Sequence, residues 1–322
     1  MTTTIEWLLN SPEPWTRYHT LTDLLSRPES DPGLAFARKE MLAHPQVRAL
    51  MERAATWGET PLKRHNDASH PIYALSTLAD FGLRVDDPGM AEIIEKALAH
   101  QSAEGAFQTV VNIPRAFGGD DTDHWTWIAC DAPTLLYALA SFGLVDDGRV
   151  VKAAEHLAGQ AAENGYRCSA APELGKFRGP GRKDDPCPVA NVYALKALSL
   201  FPQQRDGPAA QAAAEALLSH WDLRREKKYY LFGMGTDFAK LKYPNVFFDI
   251  LHVLEALSRC GFVRADRRYR EMLAVVTAQA DAEGRYTASS MYQAWKGWSF
   301  ADKKVPSPWL TFRVHRIVQR AG

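Results

Sequence analysis

Asp131-Ala-Pro-Thr-Leu-Leu-Tyr-Ala-Leu-Ala-Ser-Phe142-Gly-Leu144 is the stretch that decides the architecture. Leu135, Leu136, Ala138, Leu139, Ala140 and Phe142 leave no polar face, so a helix here is buried on every side. Pro133 sits at the helix start, where a missing N–H costs nothing, and Gly143 falls where a left-handed residue ends the helix. Four other stretches repeat this pattern: His70-Pro-Ile-Tyr-Ala-Leu through Phe81-Gly-Leu83, Ala190-Asn-Val-Tyr-Ala-Leu through Phe201, Asp249-Ile-Leu-His-Val-Leu through Cys260-Gly-Phe262, and a last one from Trp309. Their starts, 70, 131, 190, 249 and 309, step by about sixty residues, the mark of a repeat architecture. Pro71, Pro188, Pro244 and Pro308 mark the other helix starts, and Gly82 and Gly261 their ends.

An amphipathic helix follows each buried one: Ala91 to His100, Val150 to Gln160, Ala209 to His220 and Arg267 to Gln279. Asp87-Pro88, Asp147-Gly148 and Asp266 read as their N-caps. Short connections join inner to outer helices, and long ones return from outer to inner. The N-terminal residues 1–60 supply one more pair, Trp15 to Ser26 and Ala35 to Ala54. The expected fold is all-α: a single-domain α/α toroid over residues 1–322, with about six inner and five to six outer helices and the first pair closing the ring. An open solenoid needs polar capping repeats. The last segment, with Trp309, Leu310, Phe312 and Ile317, is not polar, which favours closure.

The 322 residues, 46% of them hydrophobic, can bury one large core. With 38 basic and 38 acidic residues the formal net charge is zero, so no overall field argues for nucleic acid or an anionic membrane. Met1 to Leu9 lacks the basic and apolar regions of a signal peptide, and no run reaches the length of a transmembrane helix. Four cysteines are too few for a disulfide scaffold of this size, and free thiols in a cytoplasmic protein are the natural expectation.

The long returns carry a recurring phrase: Gln101-Ser-Ala-Glu-Gly-Ala-Phe107, Gln160-Ala-Ala-Glu-Asn-Gly-Tyr166 and Gln279-Ala-Asp-Ala-Glu-Gly-Arg-Tyr286. It resembles the Gln/Trp-type repeat of the squalene-cyclase and protein-prenyltransferase superfamily, and the resemblance runs from Pro71 to Tyr286. In that family the Gln caps an outer helix and the aromatic packs at the following turn. The resemblance implies the toroid and a substrate of isoprenoid or similarly apolar character. The acid motif of class II terpene cyclases, Asp-x-Asp-Asp, has only a partial match in Gly118-Gly-Asp-Asp-Thr122, about ten residues ahead of the inner helix. Protein prenyltransferases of that superfamily hold zinc with an Asp-x-Cys pair and a distant His. Lanthionine-cyclase relatives hold zinc with two Cys and one His, which this chain nearly imitates.

If the inner helices start in register, aligned columns become neighbours at one mouth of the ring. One column holds His70, Asp131, Ala190 and Asp249; one turn inward lie Tyr73, Thr134, Tyr193 and His252; one turn outward lie Asp67 and Cys187, with His65 beside Asp67 and Cys130 beside Asp131. Ionisable groups on greasy helices need partners or a task. Two chemistries follow. Cys130, Cys187 and His252 (or Asp249) form a zinc set with an open position. Alternatively, His252, Asp249, Asp131 and His70 work as acid and base without metal. Cys168 and Cys260 read as incidental and core residues. Asp131 and Asp249 also suit a plainer role as caps, and His252 that of a satisfied core histidine.

Around the mouth, Lys242 and the return-loop cations Arg115, Lys176, Arg178, Lys303 and Lys304, with Trp125, Trp127, Trp295 and Tyr292, suggest a ligand with an anionic head and an apolar or ring-shaped body. His65, Asp67, Tyr73 and Tyr193 join this substrate-binding set. Asp120, Asp121, Asp184 and Asp185 in the same loops offer Mg²⁺ against a diphosphate, a weaker alternative to zinc. The function expected is a cyclase- or prenyltransferase-like enzyme with its chemistry in the central cavity. The alternatives are a carbohydrate-active toroid using the Asp131 and Asp249 pair, and a binding toroid without catalysis.

Overall fold

The computed structural model describes residues 3–64, 66–175, 177, 184–226 and 233–322. These residues are mostly helical, with one small two-stranded sheet. The buried segments become α5 (Ile72–Asp80), α7 (Ala132–Leu139), α9 (Pro188–Leu198), α11 (Ile250–Leu257) and α13 (Pro308–Ala321). The amphipathic ones become α6 (Met90–Leu98), α8 (Gly148–Gly159), α10 (Pro208–Asp222) and α12 (Arg267–Thr277). Every residue of α5, α9 and α11 is buried, including the polar Asp80, Asn191, Lys196, His252 and Glu255.

Local signals account for most boundaries. Asp147 and Asp266 cap α8 and α12 by accepting from the Arg149 and Arg268 N–H groups at 2.8 and 2.7 Å. Gly82 and Gly143 end their helices at φ 85° and 98°. Two expectations fail here. Gly89, at φ 84°, caps α6, and Asp87 instead accepts from the Arg84 N–H and pairs with Arg38. Gly261 opens a short 3₁₀ turn (Gly261–Val263) rather than closing α11 in the left-handed region.

The N-terminal pair is also corrected. Ala35 to Ala54 is two helices, α3 (Pro32–Ala43) and α4 (Pro45–Ala55). Pro45 lacks the N–H that would continue α3, and the residue before a proline avoids helical ψ; His44 sits at ψ 129°. The first inner segment is α2 (Pro14–His19), prolonged by a π turn over Thr20–Leu24, and a short α1 (Thr4–Leu9) precedes it with a Thr3/Glu6 capping box. The return from Gln101 holds a hairpin the helical reading missed, β1 (Thr109–Asn112) paired antiparallel with β2 (Asp123–Thr126). Its β-branched Thr109, Val110 and Val111 before a Gly118-Gly119 turn are the signal.

Inner helices pack in sequence, α5 on α7, α7 on α9, α9 on α11, α11 on α13, and α13 on α2. Trp15 of α2 stacks on Phe81, just past α5, at 4.7 Å, bringing the last contact back to the first. The outer helices α3, α4, α8, α10 and α12 lie against α2, α5, α7, α9 and α11. One apolar cluster runs from Leu8 to Ile317. No helix among the described residues is long and apolar enough to cross a membrane.

Candidate functional site at the amino-terminal ends of the inner helices

Asp249 precedes α11 and is fully buried. Its Oδ1 accepts from the His252 N–H at 3.0 Å, capping the helix, while Oδ2 has no hydrogen-bond partner among the described residues. Burial pushes the carboxyl up to about 6, against the pull of Lys242. His252 is equally buried. Its Nδ1–H donates to the Phe247 carbonyl at 2.7 Å, which leaves the lone pair on Nε2, an atom without a partner among the described residues. Burial, reinforced by the Lys196 charge, pushes this imidazole down to about 3, so it is neutral at physiological pH.

The His252 ring meets Tyr193 edge-on at 4.9 Å, and the Tyr193 hydroxyl donates to the Asn245 carbonyl at 3.0 Å. Burial and then the neighbouring Tyr73 and Tyr292 hydroxyls push the Tyr193 phenol up. Tyr73 in turn lies within the field of Asp131, Cys130 and Asp67. The columns sixty residues apart therefore meet as one polar layer. His70 lies in the field of Asp131 and Asp67 as well, but its ring is engaged. Its Nε2–H donates to the Thr60 carbonyl at 2.9 Å and its Nδ1 accepts from the Ile72 N–H at 3.2 Å, so both nitrogens are committed to holding the start of α5.

The layer opens toward a cleft of about 630 Å³ lined by Lys63, Arg64, Asp67, Ser69, Tyr292 and Gln293. Asp67 accepts from the Ser69 N–H at 3.0 Å. Lys242 is nearly buried, bonded to Asp237 at 2.9 Å with its ammonium 5.5 Å from the Tyr292 ring centre. Tyr292 therefore stands between the cleft and the buried Asp249 and Tyr73, whose charges reach its hydroxyl. His65, Lys176 and Arg178 lie outside the described residues.

Three expected aromatic walls pack elsewhere. Trp125 sits on the hairpin, stacked on His100 at 3.4 Å; Trp127 meets His156 at 5.3 Å; Trp295 is fully buried and donates its indole N–H to the Ala68 carbonyl at 2.9 Å. Large rings in return segments serve the packing of those segments as readily as a mouth. The partial acid motif, Gly118 to Thr122, is the exposed hairpin loop, where Asp120 bonds His124 at 2.9 Å.

Cys130, Cys168 and Cys187 come together, with their sulfur atoms all within 4.8 Å of one another. His252 is not in this group, so the expected pair of cysteines gains Cys168 rather than the imidazole. Backbone pairing explains why. Residue 168 lies in a stretch pinned on one side by Ala129 N–H to the Ser169 carbonyl (2.9 Å) and Ala171 N–H to the Trp127 carbonyl (3.0 Å). On the other side the Cys187 N–H donates to the Tyr166 carbonyl at 2.8 Å. The sequence signal was present in the Gln-Gly-aromatic phrase, since Tyr166 abuts the start of the next inner helix and carries Cys168 with it.

No protein-family model matches the chain, and no curated protein does. Among solved structures, it is similar to a protein from Actinoplanes, with a TM-score of 0.46 and 14% identity, covering 96% of this chain and 90% of that one. It is also similar to the type II terpene cyclase MstE from Scytonema, with a TM-score of 0.43 and 12% identity, covering 96% of this chain and 87% of that one. A variant of that cyclase in complex with its substrate geranylgeranyl dihydroxybenzoate gives a TM-score of 0.42 and 13% identity, covering 97% and 90%. At such identity no residue role passes from one chain to the other.

A second polar cluster, unforeseen in the sequence reading, lies toward the carboxyl-terminal ends of the inner helices. Asp80 accepts from the Tyr137 hydroxyl (2.6 Å), Lys196 (3.1 Å), the Tyr243 hydroxyl (3.0 Å) and Arg313 (3.1 Å). Glu255 accepts from Arg259 (2.9 Å), Arg316 (3.1 Å) and Arg320 (3.1 Å). Although burial alone raises a carboxyl, Lys196 and Arg313 hold Asp80 well below the usual carboxylate range. Burial pushes Lys196 down to about 8 against the pull of Asp80. The space among these ends of the inner helices is thus filled with side chains.

Proposed function

We propose that the chain is a single-domain α/α-toroid enzyme of the cyclase or prenyltransferase-like kind. In this reading Asp249 donates a proton to an isoprenoid or similarly apolar substrate whose anionic group rests in the cleft beside Tyr292. The observation that carries the reading is the state of Asp249: fully buried, its carboxyl pushed up to about 6, one oxygen fixed by a helix N–H and the other unengaged among the described residues. Such a group holds its proton up to about pH 6, well above an ordinary carboxyl, and keeps one oxygen unengaged among the described residues.

The surroundings supply the other roles. Tyr73, Tyr193 and Tyr292 present ring faces that stabilise positive charge developing on a hydrocarbon. His252, neutral and with the Nε2 lone pair free among the described residues, offers a hydrogen-bond acceptor beside the acid, and a proton returned by the substrate goes to the Asp249 carboxylate, the stronger base of the two. Lys63 and Arg64 at the cleft suit the anionic group.

Asp249→Asn preserves the cap and removes the proton. Turnover is expected to fall roughly 10²–10⁴-fold with the thermal midpoint retained. Wild-type activity is expected to decline as pH rises past about 6, as the acid form is lost. Substrates are found by thermal shift against prenyl diphosphates and prenylated aromatics. Full activity in Asp249→Asn, or no stabilisation by any of these compounds, rejects the proposal.

A further inference from the structure

We propose that Cys130, Cys168 and Cys187 bind one zinc ion as three thiolates, leaving its fourth position to water or an entering group. Three sulfurs lie within 4.8 Å of one another, and each comes from a separate segment: the approach to α7, the return between α8 and α9, and the residue capping α9. Two thiolates bound to one tetrahedral zinc stand roughly 3.8 Å apart, given Zn–S bonds of about 2.3 Å. The apposition therefore suits a metal after small side-chain adjustments. All three thiols are free, and an odd number cannot be satisfied by disulfides within the group.

The donor chemistry selects the ion. Soft thiolates favour zinc over magnesium or calcium, whose oxygen ligands are missing from this group. Cys130 and Cys187 are almost fully buried, and thiolates there need a compensating positive charge. The site adjoins the polar layer, since the field of Cys130 reaches Tyr73 and that of Asp131 reaches Cys168. Its ligands are spread along the chain without any short Cys-x-x-Cys spacing, so they become a set only through the backbone pairing around residues 166–171.

The test uses the full chain purified under reducing conditions without chelators. Elemental analysis is expected to find one zinc per chain. Replacement by cobalt(II) is expected to give a near-ultraviolet thiolate-to-cobalt charge-transfer band of an intensity matching three sulfurs. Cys168→Ser and Cys187→Ser are expected to lose the metal, whereas Cys260→Ser, at a cysteine outside the group, keeps it. A wild-type chain that neither carries zinc nor takes up zinc or cobalt overturns the proposal. So does stoichiometric zinc retained in Cys168→Ser. The cobalt spectrum of the wild-type chain needs no variant to fold, and no readout involves substrate. The zinc site and the acid role of Asp249 therefore stand or fall separately.

Discussion

Asp249 joins two demands at one side chain. Capping α11 requires an oxygen at the helix start, and burial makes its charge costly. The consequence is a particular dependence on pH. A carboxyl raised from 3.8 to about 6 binds a proton in the native chain that the unfolded chain has already released. Its stabilising contribution is complete below the unfolded value and is lost as pH rises through about 6, a difference of roughly 3 kcal/mol. Asp80 and Glu255, held low by their cations, act in the opposite direction, so the Asp249 effect is seen cleanly only as a difference. Urea unfolding of wild type and Asp249→Asn is expected to show the variant gaining on wild type between pH 4 and 7. A difference that does not change with pH means that the carboxyl is not shifted. The position of Asp249 was legible as a helix start on a sixty-residue column. The engagement of the His70 ring was not, because the carbonyl that occupies it belongs to Thr60 in a segment without periodic pattern.

At the scale of elements, the repeat was the most readable feature, since buried helices with proline before and glycine after announce themselves locally. The return segments were less readable, because their order comes from pairing with distant backbone. Gly165 shows the physics. It sits at φ 98°, and a Cβ there would lie 2.4 Å from the Asn191 Oδ1 and 2.9 Å from the Ala216 side chain. Asn191 at the same time accepts from the Tyr166 N–H at 2.9 Å. Gly165→Ala is expected to cost at least ~2 kcal/mol, combining left-handed strain with a clash at a committed hydrogen bond. Gly143 has the same φ of 98° with open space around it, and Gly143→Ala is expected to cost only about 1 kcal/mol. Denaturant midpoints of the two variants make the comparison; equal losses would place the whole effect in φ. Because the Gly165 turn carries Tyr166 and Cys168, its alanine variant is also expected to weaken the zinc binding proposed for the three cysteines.

For the whole molecule, the inner helices are tied by charge as well as by apolar contact. Tyr137, Lys196 and Glu255 fall fifty-nine residues apart, a column on the same repeat, visible in the sequence yet lost among apolar neighbours. Asp80 and Arg313 lie off that column, and only the packing of the helices brings them to it. Lys196→Met strips one cation from the buried Asp80 and is expected to destabilise by about 3–5 kcal/mol. Adding Asp80→Asn is expected to recover part of that loss in a double-mutant cycle read by chemical denaturation. Strict additivity would mean the pair does not interact.

Arg313 of α13 reaches both Asp80, at the end of α5, and Glu255, in α11. A chain growing on the ribosome thus presents both acids well before one of their shared counter-ions has been made. The earlier helices can form and touch, but their centre stays electrically incomplete until α13 emerges. A chain cut before α13 is left with two buried acids short of a shared partner.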